Sequence, residues 1–226
     1  MKDWRLIYII FAKSEDKLYI SNKNRQAYFV LLSVCIIFVR INLKNCNVMF
    51  DKETYVQRRA LLKKNIGSGV LLFLGNDEQG LNYEDNAFRY RQDSTFLYYF
   101  GLSFAGLSAI IDIDEDKEII FGDELTIDHI VWMGTQPTLK EKSERVGIRE
   151  TLPSVAIISY LHKAVQKGQT VHYLPPYRPE HKLKLMDWLG IPPARQEGSV
   201  PFIRAVVAQR NYKSAEEIAE LSLIHI

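Results

Sequence analysis

The stretch Arg89-Tyr-Arg-Gln-Asp-Ser-Thr-Phe-Leu-Tyr-Tyr-Phe-Gly101 decides how this chain is read. Two arginines, an amide and an acid stand directly before a cluster of large apolar and aromatic residues. Asp93 or Ser94 is placed to cap a short helix by accepting from its first free backbone N–H groups. Phe96, Tyr99 and Phe100 then share one helical face, and Gly101 ends the turn. Tyrosines buried on such a face need hydroxyl partners, and Arg91 and Gln92 are multi-donor groups that could supply them. Upstream lies a polar loop, Gly75 to Asn86; downstream comes the strand-like run Leu107 to Ile113.

Working outward, Val70-Leu-Leu-Phe-Leu74 is apolar at every position, as a strand covered on both faces of an α/β sheet must be. Leu107 to Ile113 and Glu118 to Phe121 read as a β-hairpin around Asp114-Glu-Asp-Lys117. Asp112, Asp114 and Asp116 imitate the first positions of a calcium loop. The pattern then fails, because Lys117 stands where glycine is required and Asp123 where glutamate is required. The spacing predicts helices over Lys52 to Asn65 (Asp51 as N-cap), Thr138 to Arg145, Pro153 to Gln166 and Pro179 to Leu189. Further strands are predicted at Ile130 to Trp132 and Val171 to Leu174. Ser214 and Glu217 form a capping box, so another helix starts there. Strands alternating with helices give an α/β layer fold, and the hairpin makes its sheet mixed.

Composition narrows the function classes. A hydrophobic content of 47% with 25% charged residues is that of a globular chain. The net charge of +2 hides an asymmetry: residues 1–48 carry eight Lys/Arg against three Asp/Glu, and the remainder is mildly acidic. No basic footprint for nucleic acid is expected there. Both cysteines, Cys35 and Cys46, lie before Met49, so no disulfide framework or cysteine-based zinc site is expected beyond it. The five histidines (129, 162, 172, 181 and 225) are scattered, without paired ligand spacing. The acidic loop residues Asp77, Glu78, Glu84 and Asp85 have no histidine near them and read as solvated. Neither a glycine-rich phosphate loop nor a Gly-x-Ser-x-Gly elbow is present. Catalytic and metal-ligating residues are therefore expected to be absent from this chain.

Arg91-Gln-Asp-Ser-Thr-Phe-Leu-Tyr-Tyr-Phe-Gly101, preceded by Asn82-Tyr-Glu-Asp-Asn86, resembles the N-terminal domain of aminopeptidase P. Those enzymes are Xaa-Pro aminopeptidases of the pita-bread metallopeptidase family. The likeness runs from about Met49 to about Glu220 and includes Tyr55-x-x-Arg-Arg-x-x-Leu62, a Trp-x-Gly at Trp132 to Gly134, and Arg210-x-x-Lys-Ser-x-x-Glu-Ile218. It implies a mixed β-sheet flanked by helices, of the creatinase/aminopeptidase P type. It also implies a manganese-dependent parent enzyme whose two divalent ions sit in a further, C-terminal domain on two Asp, one His and two Glu. The implied substrate is a peptide with proline second, the implied assembly a homo-oligomer, and the implied compartment the cytoplasm. By the same resemblance, Asp85 and Trp132 edge a neighbouring subunit's substrate cleft. An ordinary loop turn at Asp85 and a core position for Trp132 are the alternatives. Arg91, Gln92, Asp93, Ser94 and Tyr98 form a structural motif, with the first three as a buried network pinning the loop to the sheet.

The resemblance also divides the chain. Residues 1–48 fall outside it. The apolar run Ala27 to Val39 is short of the ~20 residues a spanning helix needs, and Met49 is the expected natural start, with a membrane tether as the alternative. Residues 49–209 form the domain. Residues 210–220 begin the helix that, in the family, crosses into the catalytic domain. Residues 221–226 match one reading frame of a transposase-end adapter and are expected to be an artefact, so His225 carries no role. Three functions stay open: part of an Xaa-Pro aminopeptidase, a non-catalytic binding module of the same fold, and part of a prolidase-type dipeptidase.

Overall fold

The computed structural model describes residues 50–83, 86–127, 131, 134, 136–215 and 217–219. The order is α1 (Lys52–Ile66), β1 (Val70–Leu74), α2 (Ser94–Phe100), β2 (Ser108–Asp112), β3 (Lys117–Phe121), α3 (Leu139–Glu144), β4 (Glu150–Leu152), α4 (Ala156–Gln166), β5 (Val171–Tyr173), α5 (Pro179–Leu189) and α6 (Val200–Asn211). A single turn of 3₁₀ helix, Pro193–Arg195, precedes α6.

The five strands form one sheet in the order β4-β3-β2-β1-β5. β1 and β3 both run antiparallel to β2, while β5 is parallel to β1 and β4 parallel to β3. Four strands thus point one way and β2 alone opposes them, so the sheet is mixed as expected. The apolar run of β1 sits next to the centre, and its alternation serves two cores. Leu71 and Phe73 enter a cluster with Phe96, Tyr99, Phe100 and Phe202. Val70 and Leu72 enter another with Ile157, Leu161 and Leu185. Register keeps these sets together: Leu71 lies opposite Ile111, and Leu72 opposite Ile110. Fully burying each such side chain contributes about 1.5–3 kcal/mol. A strand with both faces covered favours apolar residues, and the polar ends of β2, Ser108 and Asp112, are buried as well.

Helix ends follow local chemistry. Thr138 and Glu141 form a reciprocal capping box on α3. α5 opens on Pro179 and closes on left-handed Gly190. Asp51 occupies the N-cap position of α1, but its side chain makes no capping bond. At the end of β2, where the turn to β3 begins, Asp112 is buried and accepts from the Tyr160 hydroxyl (2.8 Å), Gln169 Nε2 (3.0 Å) and Glu115 N (3.0 Å). That carboxylate is committed to protein donors, in keeping with a hairpin.

Three elements depart from expectation. β4 is a three-residue strand with no apolar run to announce it. α6 was not legible as a helix, although Pro201 sits in its first turn. Where a strand was expected at Ile130 to Trp132, Val131 is helical and exposed. Ile130 and Trp132 lie outside the described residues.

Candidate functional site

The Arg89–Gly101 segment knots three parts of the fold together. Asp93 is the N-cap of α2; its Oδ1 accepts from Thr95 N and Phe96 N, both at 2.8 Å. Its Oδ2 accepts from the Tyr177 hydroxyl at 3.1 Å. Gln92 is buried, and its Oε1 accepts from Asn76 N (2.7 Å) and Asp93 N (2.9 Å) while Nε2 donates to the Phe104 carbonyl (2.7 Å). One amide therefore bridges the loop after β1, the start of α2 and the approach to β2. Asn76 returns the bond by donating from Nδ2 to the Arg91 carbonyl at 2.8 Å. The Arg91 side chain is exposed, so the pin is built from Gln92, Asp93 and Asn76, and Arg91 enters through its backbone alone. Ser94 is also exposed.

Nor do Arg91 and Gln92 serve the tyrosines. Tyr99 donates to Gln209 Oε1 (3.1 Å) and Tyr98 to the Gln209 carbonyl (3.3 Å), both on α6. Gln209 Nε2 then donates to the Arg58 carbonyl at 2.8 Å. Burial pushes the Tyr99 hydroxyl well above its ordinary range, and Tyr98 is raised by burial and then by Glu217, so both remain donors.

Two arginines of α1 are a further feature that sequence reading missed. Arg59 is fully buried and donates to Glu118 Oε2 (2.7 Å), the Tyr99 carbonyl (2.9 Å) and the Val146 carbonyl (2.9 Å). Arg58 lies 4.0 Å from the Tyr98 ring centroid and 4.5 Å from that of Phe50, and it pairs with the buried Glu217. Ser214 and Glu217 exchange the two capping-box bonds at 3.2 Å each. Arg58 thus holds the start of the helix beyond α6 onto α1. The repeated Arg-Arg in Tyr55 to Leu62 was the available signal, but acceptors so distant in sequence cannot be read from it.

The loops of interest spring from one end of the sheet. Gly75 to Asn86 leaves the carboxyl end of β1, and the segment beginning at Gly122 leaves that of β3. The first is tied down by Gly75 N to the Leu107 carbonyl (2.9 Å), by the Asn76 bonds, and by His181 Nε2 at 3.0 Å from the Gly75 carbonyl. Beyond these ties it forms a small hairpin, with Leu81 N on the Asn86 carbonyl and Phe88 N on the Gln79 carbonyl. The second is tied by Asp123 to Ser154 and by Glu124 to Leu139 N. Asp85 and Trp132 themselves lie outside the described residues. Among the described residues no group of three or more His, Cys, Asp or Glu side chains is placed to hold a metal ion. A paired-metal centre does not fit them, and no helix there is long and apolar enough to cross a membrane.

What fold and site define is a mixed-sheet α/β domain with pinned loops at the carboxyl ends of its parallel strands. The model of the aminopeptidase P N-terminal domain matches residues 55–173, and the chain belongs to that family. A protein of Chaetomium globosum named "Probable Xaa-Pro aminopeptidase" is 30% identical over 112 residues, which are 48% of this chain and 18% of that protein. The "Xaa-Pro dipeptidase" of Homo sapiens is 33% identical over 90 residues, 38% of this chain and 18% of that one. This chain therefore spans under a fifth of the length of these curated relatives. Among solved structures, aminopeptidase PepP of Pseudomonas aeruginosa superposes with a TM-score of 0.63 at 23% identity, over 75% of this chain and 40% of that one. A variant of Escherichia coli aminopeptidase P gives 0.61 at 20% identity, covering 75% and 41%.

Proposed function

We propose that this chain is the amino-terminal part of a cytosolic, manganese-dependent Xaa-Pro aminopeptidase, where it builds a homo-oligomer and edges a neighbouring subunit's substrate cleft. The observation that carries this reading is the Gln92–Asn76–Asp93 pin. It fixes the root of the loop that bears Asp85, and a carboxylate used on a peptide's free amino terminus needs such a rigid base. Trp132, on the segment leaving β3, would offer an indole to the substrate side chain. The paired manganese and its ligands belong, in this reading, to a domain following residue 220. When bound they would activate water and polarise the scissile carbonyl. The chain's own residues supply position and enclosure.

The test is to express the natural reading frame in line with Met49 to Glu220, including all that follows, and to assay it on a tripeptide with proline second. Manganese-dependent release of the first residue is expected, with Asp85→Ala raising KM. No release with any divalent ion would overturn the reading. The 33% identity to a human Xaa-Pro dipeptidase favours a second reading, a dipeptidase. Hydrolysis of the free dipeptide but not the tripeptide would select it.

A further inference from the structure

A cleft of about 370 Å³ opens beside the carboxyl ends of β1, β3 and β4. It is lined from several elements: Asp77 after β1, Phe121 and Asp123 at the end of β3, Ser154 and Val155 after β4, Ile158 of α4, and Lys184 and Trp188 of α5. Phe121 is buried, Ile158 and Trp188 are half-buried, and Val155 is 76% exposed. The lining is thus mostly apolar below, with the buried Ser108 beside Phe121, and open at a Val155 rim. Crevices beyond the carboxyl ends of parallel strands are favoured ligand positions in α/β sheets, and this volume suits a ligand of one or two residues.

The charges decide which ligand. Lys184 Nζ lies 2.8 Å from Asp77 Oδ1 and 2.7 Å from Oδ2, so that pair is internally compensated. Among the described residues Asp123 has no such cation. It accepts from Ser154 N (3.0 Å) and from the Ser154 hydroxyl (2.5 Å), which fix its direction. A carboxylate has about four acceptor positions, so roughly half remain for a ligand. The lining therefore carries one net negative charge, beside an aromatic and aliphatic wall.

We infer that this cleft binds the amino-terminal residue of a peptide, with its α-ammonium on Asp123 and an apolar side chain against Trp188 and Ile158. A free amino acid presents the same ammonium but adds a carboxylate. With Lys184 already paired to Asp77, that carboxylate would find no free cation among the lining residues. The ligand is therefore an amino end whose carbonyl is amidated or in peptide linkage. Binding here needs no metal and no hydrolysis, so it is measured apart from peptidase activity.

The 226-residue chain, labelled with nitrogen-15, gives one indole N–H signal for each of Trp4, Trp132 and Trp188, and Trp188→Phe assigns the last. Titration with leucine amide is expected to shift the Trp188 signal saturably, and free leucine to leave it in place. Asp123 is exposed, so Asp123→Asn is expected to weaken leucine amide by about two- to fivefold, the loss of one solvent-screened ion pair. Val155→Trp changes only an exposed rim position and is expected to weaken it as well. A Trp188 signal indifferent to leucine amide, or equal affinity for free leucine, or full affinity in both variants, would each overturn the inference.

Discussion

At the scale of single residues, the fold depends on polar side chains that each satisfy several backbone groups. Gln92 is the clearest. Removing its amide strands the N–H groups of Asn76 and Asp93, while the Phe104 carbonyl keeps the Tyr90 hydroxyl as a donor, and Asn76 is itself only 2% exposed. An unpaired buried donor or acceptor costs about 1–3 kcal/mol. Gln92→Ala is therefore expected to lower stability by about 2–3 kcal/mol in urea unfolding, with the denaturant slope unchanged. Arg91→Ala, at an exposed side chain, is expected to stay within about 0.5 kcal/mol. Equal losses in the two variants would return Arg91 to the pin. The sequence made Asp93 and Gln92 legible because their main partners lie close by or on one adjoining loop. It hid Arg59, whose partners are Tyr99, Val146 and Glu118. Arginine is ordinarily exposed, and only the assembled fold brings three acceptors to one buried guanidinium.

At the scale of elements, ends matter as much as interiors. α2 stops at Gly101, which is left-handed at φ 63, and a Cβ there would lie only 2.4 Å from Cζ of the Tyr55 ring of α1. α5 stops at Gly190 with nearly the same φ, 66, but with nothing within 4 Å of a Cβ. The two glycines separate backbone strain from packing. Gly190→Ala is expected to cost only the left-handed penalty, about 1–2 kcal/mol. Gly101→Ala adds overpacking against Tyr55 and is expected to cost about 2–4 kcal/mol in all. Thermal midpoints of the two variants compare them directly, and equal shifts would mean that Tyr55 moves aside without cost. Helices with proline first and glycine last were legible for this reason. β4 was not: Glu150-Thr-Leu152 has no period to read, and it becomes a strand only because β3 offers it a parallel edge. α6 escaped notice because its buried face is narrow, with Phe202 and Val206 as its buried residues.

At the scale of the whole molecule, the fold class was legible because a strand apolar at every position implies two covered faces, and β1 divides its side chains between two cores in that way. The site was legible only in part. The sequence marked the loops after β1 and β3, but their common origin at one end of the sheet follows from β2 lying between those strands.

That end of the sheet is also where acid will act on the molecule. His181 of α5 is 3% exposed, and its Nε2 reaches the Gly75 carbonyl at the root of the Asp85 loop. Burial holds its pKa below the ordinary 6.5, and nearby Lys184 adds to this, against the opposing pull of the Gly75 carbonyl, Asp93 and Glu180. His172, in β5 with Nδ1 2.7 Å from the Ser199 hydroxyl, is lowered as well, again chiefly by burial. A histidine neutral in the fold and free to protonate when unfolded makes the unfolded state bind more protons. The stabilisation is complete above pH 6.5 and is lost as pH falls from there through the folded pKa. Urea midpoints are therefore expected to fall between pH 7.5 and pH 5, before the carboxylates titrate. His181→Gln keeps an N–H donor for Gly75 but has no proton to gain, so its midpoint is expected to fall less steeply over the same interval. A slope identical to that of the parent chain would assign the acid sensitivity to His172 or elsewhere, and would leave the contact between α5 and the β1 loop indifferent to pH.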